Sequence, residues 1–86
     1  KDIAQKTVRE RLAEVLLMLR KNFGEDQDSY LQIILTREDL ANIVGTATES
    51  VIRLLSEFKS DNFIELSNKK IRLKNISALK KLANES

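Results

Sequence analysis

A glycine stands in the middle of "LANIVGTATESVIRLL", Leu40 to Leu55, with helical spacing of apolar residues on both sides of it. One long helix would be the default for such a stretch, but glycine admits the positive φ of a sharp helix exit at little steric cost. The chain is therefore expected to turn at Gly45, between a helix that starts at about Arg37 and a second that starts near residue 48. Thr36 supplies the N-cap hydroxyl of the first helix, with Asp39 three residues on, a relative of the capping box in which Asp replaces the usual Glu or Gln. Its predicted buried face is Leu40, Ala41, Ile43 and Val44, and the small Ala41 allows the two helices to approach closely. The second helix turns Val51, Leu54, Leu55 and Phe58 inward; at about 100° per residue, Glu49, Ile52, Arg53 and Ser56 fall on the outer side. Two short helices joined in this way make a helix-turn-helix, whose second helix can lie in the major groove of DNA. A short αα-hairpin with no role on DNA is the alternative that this stretch alone leaves open.

The flanking segments narrow the choice. Val8, Leu12, Val15, Leu16, Leu19 and Phe23 recur in steps of three and four, which predicts a first helix that stops at Gly24; Leu17 and Met18 widen its apolar surface and predict cover on more than one side. In "YLQIILT", the alternation of Leu31, Ile33 and Leu35 predicts a short strand. "FIELSNKKIRL" reads as a hairpin with Ile64, Leu66, Ile71 and Leu73 facing the core and Glu65, Ser67, Lys70 and Arg72 facing out. A two-residue turn at Asn68 and Lys69 sets Leu66 opposite Ile71, Ile64 opposite Leu73, and Glu65 opposite Arg72 as a cross-strand charge pair. Lys69 occupies a position where glycine is preferred. A hairpin after a helix-turn-helix is a winged helix, and "NISALKKLANES" adds a closing amphipathic helix through Ile76, Leu79 and Leu82. The fold class is mainly α with a small antiparallel β component, a winged helix-turn-helix.

Inventory removes most enzyme chemistry. The 86 residues contain no cysteine and no histidine, so thiolate or imidazole metal sites, disulfides and Cys/His or Ser/His/Asp nucleophile systems are excluded. Gly24 and Gly45 are isolated, so there is no glycine-rich phosphate loop, and the carboxylates sit on helix faces or loops with no partner base; the expectation is a domain that is not an enzyme. No apolar run approaches the roughly 20 residues of a membrane span and no leader pattern is visible, which fits a cytoplasmic setting without membrane contact. The hydrophobic share of 42% suits one modest core, and a start at Lys1 suggests a piece of a longer protein. A net charge of +2 is too small to argue for nucleic acid by itself. Its distribution says more: Glu25, Asp26 and Asp28 cluster in one loop, whereas Lys69, Lys70, Arg72, Lys74, Lys80 and Lys81 crowd the last third, a stretch that by itself reads as a solvated surface before a binding patch.

With this order of elements in hand, the sequence resembles the C-terminal DNA-binding domain of the Crp/Fnr family of bacterial transcription regulators. The resemblance covers nearly the whole chain, and its most specific part is Leu35, Thr36, Arg37, Leu40, Ala41, Val44 and Gly45 followed by Glu49 and Arg53. It implies one DNA-binding domain over residues 1–86, the C-terminal fragment of a longer regulator, with a recognition helix at about 47–59 in the major groove and a wing at 64–73 on the backbone. The alternative function is a winged helix used only for protein contacts.

The resemblance further implies that Glu49 and Arg53 read base edges, and their spacing agrees: four apart on one face, an arginine fork matches guanine O6/N7 and a carboxylate accepts from cytosine N4. An i,i+4 pair between the two would also hold Arg53 in place, while the structural alternatives are a capping box of Glu49 with Thr46 and an exposed salt bridge for Arg53. Ile52 stands where fumarate-nitrate-type members carry serine, and is expected to pack on a thymine methyl, with an inert exposed isoleucine as the alternative. Thr36, Arg37, Ser50, Ser67, Lys69 and Lys70 match positions resembling the family's phosphate-contacting set, with a cap or a solvated side chain as the alternative for each. Ala47 replaces the usual serine cap of the recognition helix, and Thr46 or Thr48 is expected to supply the missing hydroxyl to phosphate or cap. The implied partners are double-stranded DNA and RNA polymerase, though the acidic loop near Glu25 matches no polymerase motif and is assigned no site. By the same resemblance the full regulator is a homodimer, the isolated domain a weakly binding monomer, and a cyclic nucleotide or other effector binds an N-terminal domain, with no cofactor in this one.

Overall fold

Helix α1 (Val8–Phe23) opens on a complete capping box: the Thr7 hydroxyl accepts from the Glu10 N–H at 3.1 Å, and the Glu10 carboxylate accepts from the Thr7 N–H at 2.8 Å. The computed structural model describes residues 5–84, so positions 1–4 and 85–86 of the expected domain lie outside it. After α1 come α2 (Arg37–Val44), α3 (Thr48–Ser60), the hairpin strands β1 (Ile64–Ser67) and β2 (Lys70–Leu73), and α4 (Ile76–Ala83). This is the winged helix-turn-helix order that the apolar spacing predicts.

One core joins these elements. α1 packs along α4 and touches α2, α2 packs on α3, and α3 leads into β1. Leu12, Leu16, Leu40, Val51, Leu55, Phe58, Ile64 and Leu79 are essentially sealed from solvent. Removing each such side chain from water contributes about 1.5–3 kcal/mol, so apolar burial dominates what orients α3. The predicted inner face of α3 holds in full, since Val51, Leu54, Leu55 and Phe58 are all buried.

At the turn between α2 and α3, Gly45 has φ 86° and ψ 46°, and its N–H donates to the Ala41 carbonyl at 2.8 Å. A Cβ built there would meet nothing within 4 Å. Glycine is thus required by the left-handed backbone and not by crowding. The wing register matches the expectation residue for residue: Ile64 with Leu73, Glu65 with Arg72, Leu66 with Ile71 and Ser67 with Lys70. Glu65 and Arg72 form the predicted ion pair. Asn68 alone takes the positive φ, 55°, which explains how Lys69 is tolerated beside it.

Three expectations need correction. The segment 30–36 is not a strand: Tyr30 bridges Arg72 and the Leu31 N–H donates to the Ile71 carbonyl at 2.8 Å, after which the chain leaves the edge of β2 for the cap at Thr36. The alternation still describes which side chains turn in, with Leu31 buried, Ile33 and Leu35 half-buried and Ile34 exposed. Phe23 lies at the right angle on α1 but at its last position and is exposed, as is Met18, whereas Leu17 is buried. Ile43 is also exposed; in so short a helix the buried arc extends from Leu40 through Val44 to Ala41, and position 43 falls about 60° outside it.

Candidate nucleic-acid interface

The outer side of α3 carries the three residues expected to read bases. Glu49, Ile52 and Arg53 are all exposed, Ile52 to 50% and the Arg53 side chain to 62%, and they share the face opposite Val51, Leu54 and Phe58. An isoleucine half in water on a helix whose other apolar residues are sealed is available for an apolar contact such as a thymine methyl. The expected Glu49–Arg53 pair is not what forms. Arg53 Nη1 donates instead to Glu57 Oε2 at 2.8 Å, one turn toward the C-terminus, so the salt-bridge alternative describes Arg53 with a different partner.

The N-terminus of α3 differs from the prediction as well. Ala47 is the N-cap in extended conformation, and no side chain caps the first turn, so neither Thr46 nor Thr48 replaces the absent serine there. Thr46, Thr48 and Ser50 are half-buried at this end, near first-turn N–H groups that carry the positive pole of the helix. Such an end suits a phosphate. At α2, by contrast, the Thr36 hydroxyl accepts from the Asp39 N–H at 3.0 Å. Capping uses only the oxygen as acceptor, so the hydroxyl proton stays free to donate to a phosphate, and the two roles considered for Thr36 are compatible.

Arg37 ties the start of α2 to the tip of the wing. Its Nη2 and Nη1 donate to the carbonyls of Asn68 at 3.4 Å and Lys69 at 3.5 Å, bonds near the long limit of the range. Partial burial lowers its pKa, but a guanidinium remains charged throughout the physiological range. The structure thereby gathers Thr36, Arg37, Ser67, Lys69 and Lys70 at one place, with Ser67, Lys69, Lys70 and Ile34 lining a shallow groove beside the turn.

Several supporting contacts escaped the sequence reading because they join residues far apart in the chain. Arg11 of α1 donates to the Val44 carbonyl at 3.0 Å and the Gly45 carbonyl at 3.4 Å, placing a cation on the C-terminal end of α2 where helix carbonyls lack partners. Arg9 reaches Glu57 at 2.9 Å and Asp61 at 3.2 Å and lies over the Phe58 ring at 5.0 Å. On the wing side, Lys70 lies 3.7 Å from Asp26 and Arg72 stacks 5.6 Å from the Tyr30 ring centre. Partial burial pushes the Asp26 carboxyl up, but N–H donors of Tyr30 and Asp28 together with Lys70 outweigh it and hold the group below its usual value. The clustering of Glu25, Asp26 and Asp28 was the one visible signal, and it named no partner.

Comparison with known proteins agrees with this geometry. A model of the Crp-like helix-turn-helix domain matches residues 10–82. The chain is 31% identical to the fumarate and nitrate reduction regulatory protein of Yersinia pestis, over 94% of this chain and 33% of that protein. It is 29% identical to the protein of the same name in Escherichia coli K12, over 98% of this chain and 34% of that one. The chain thus spans about a third of the length of the curated relatives it matches. Among solved structures, a CRP/FNR-family transcriptional regulator of Thermus thermophilus superposes with a TM-score of 0.82 at 26% identity, covering 93% of this chain and 42% of that one. The CO-dependent transcription factor CooA of Carboxydothermus hydrogenoformans gives 0.78 at 31% identity, covering 87% of this chain and 36% of that one.

Proposed function

The chain belongs to the Crp-like helix-turn-helix domain family, and on that footing we propose that it binds double-stranded DNA in transcription regulation with α3 in the major groove and the wing on the backbone. Arg53 and Glu49 read base edges and Ile52 meets a thymine methyl. Thr36, Arg37, Thr46, Thr48, Ser50, Ser67, Lys69 and Lys70 contact phosphates and fix the register without reading sequence. The observation that carries this reading is the two-sidedness of α3: its inner face is sealed into the core while Glu49, Ile52 and Arg53 stand exposed together on the other. The relatives are regulators by name, which favours DNA over a purely protein-docking role.

The chain is the C-terminal domain of a longer protein, in keeping with its third of its relatives' length. That protein works in the cytoplasm as a homodimer on a two-fold operator, with half-sites about one helical turn apart. An effector, a cyclic nucleotide or another small molecule, binds its N-terminal part, and RNA polymerase is the partner of the DNA-bound dimer. Titrating isotope-labelled chain with a mixed-sequence duplex at low salt, read by amide shifts, tests the interface. Perturbations gathered at Thr36, residues 46–53 and residues 67–70 are expected; an unperturbed spectrum at saturating DNA would refute groove docking. For the base contact, Arg53→Ala is expected to lose about 1–3 kcal/mol per half-site at one base pair, with non-specific affinity little changed.

A further inference from the structure

The Arg53 guanidinium is tethered before any DNA arrives. Its Nη1 donates to Glu57 Oε2 at 2.8 Å, and the other oxygen of the same carboxylate, Oε1, accepts from Arg9 Nη1 at 2.9 Å. Arg9 in turn is fixed by Asp61 at 3.2 Å and by its place over the buried Phe58 ring. Glu57 is thus a carboxylate shared by two arginines, one from α1 at the rear of the domain and one on the outer face of α3. Arginine has a long side chain with much rotamer freedom to lose on binding, and a preformed bond reduces that loss. A single bond at Nη1 leaves Nε and Nη2 to donate, and two such donors are what guanine O6 and N7 accept.

We infer that Glu57, anchored by Arg9, is a positioning residue for Arg53, and that the Arg9–Glu57–Arg53 chain sets how strongly the domain prefers one base pair. The inference rests on Arg53 reading a base edge. Without Glu57 the guanidinium is free to swing onto phosphates, which all sequences share. Glu57 therefore trades non-specific affinity for discrimination: its charge opposes DNA, and its hydrogen bond aims the reader.

The test uses this chain and its variants Arg53→Ala, Glu57→Gln and Arg9→Met, each bound to a pool of duplexes randomised over one half-site. Bound duplexes are sequenced, and Kd on the preferred duplex and its single-base-pair variants follows by fluorescence anisotropy at fixed salt. Arg53→Ala is expected to erase preference at one base pair. Glu57→Gln and Arg9→Met are each expected to weaken that same preference by about twofold, the size of an exposed i,i+4 ion pair. Their non-specific affinities should move in opposite directions, up on loss of a negative charge and down on loss of a positive one. Like effects on preference with opposite effects on affinity separate aiming from net charge.

Unchanged preference in Glu57→Gln, where Arg53→Ala has lost it, overturns the positioning role and leaves base reading intact. Equal weakening of all sequences by Arg53→Ala refutes base reading itself, and the positioning role falls with it. Should Arg9→Met fail to fold, rotation about the Arg53 Cζ–Nη1 bond, read from the Nη resonances, decides in the free Glu57→Gln protein, because Nη1 is the bonded nitrogen. It is expected to speed up toward that of a solvated arginine; an unchanged rotation rate overturns the inference.

Discussion

The helix α3 and the wing both face the proposed DNA surface, yet they are held in opposite ways. α3 is held by four buried apolar side chains, Val51, Leu54, Leu55 and Phe58. The wing's strands are anchored by Ile64, Ile71 and Leu73, with Leu66 half-buried against the core, and the tip, Ser67 to Lys70, is exposed. The polar contacts to that tip are Arg37 on two carbonyls and Asp26 beside Lys70. Apolar burial neither titrates nor is screened by salt, whereas exposed ion pairs are screened. The orientation of the reading helix is therefore robust, and the posture of the wing is tunable.

The largest expected effect breaks the robust half. Phe58 is completely buried, packs 5.8 Å from Phe63 between ring centres and carries Arg9 on its face. Phe58→Ala should cost about 3–5 kcal/mol of stability, read as a lower midpoint in denaturant. The wing has no side chain with that leverage. Its lysines act on binding instead: Lys69→Ala with Lys70→Ala should leave the denaturation midpoint nearly unchanged but weaken binding to every duplex. The slope of log K against log salt should flatten by about two, which over about a fourfold change in salt is roughly tenfold in affinity. A midpoint that falls as far as that of Phe58→Ala would erase the contrast between the two elements.

A smaller pair of substitutions sharpens the comparison at helix ends. The α2 cap is occupied by Thr36, whereas the α3 cap at Ala47 has no side-chain bond. Thr36→Ala should lower stability by about 1 kcal/mol, and Ala47→Ser should raise it by up to about as much. In a domain of this size each amounts to about 4–8 °C in Tm. Ala47→Ser that leaves Tm unchanged would mean that the bare end of α3 is already satisfied.

The same division explains what was legible in the sequence. Every inward residue of α3 and every pair of the wing register followed from periods of 3.6 and 2, because these are consequences of backbone geometry within one element. Gly45 was legible because its residue type reports its backbone angle. Length was the hidden quantity for Phe23 and Ile43: periodicity gives an angle around a helix, not where its partners end or how wide the buried arc is. The segment 30–36 alternates like a strand but finds only one edge residue of β2 to bridge. The arginine contacts were illegible for a different reason, since Arg9 with Glu57 and Arg11 with Val44 join residues 48 and 33 positions apart. Local charge spacing favoured Glu49 for Arg53, and the structure chose the other i,i+4 neighbour, the one that Arg9 already holds.

The smallest effect tests whether the acidic loop restrains the wing. Asp26 accepts from the N–H groups of Asp28 at 2.9 Å and Tyr30 at 3.0 Å and lies 3.7 Å from Lys70, so its folded pKa is lowered from the ordinary 3.8. A carboxyl whose folded pKa is depressed binds a proton more readily when unfolded, so it contributes stability that is complete above its unfolded value. That contribution is lost as the pH falls from about 4 through the lower folded pKa. Asp26→Asn should remove this part of the acid limb and lower the stability at neutral pH by the same small amount, because the half-buried carboxylate's ion pair with Lys70 is long and screened. On DNA the sign reverses. With Asp26 neutralised, Lys70 no longer exchanges a carboxylate for a phosphate on binding, and affinity at neutral pH should rise modestly on every sequence, more at low salt than at high. The rise should vanish when Lys70 is also alanine; if it persists there, Asp26 acts through the general field of the domain and the loop does not restrain the wing.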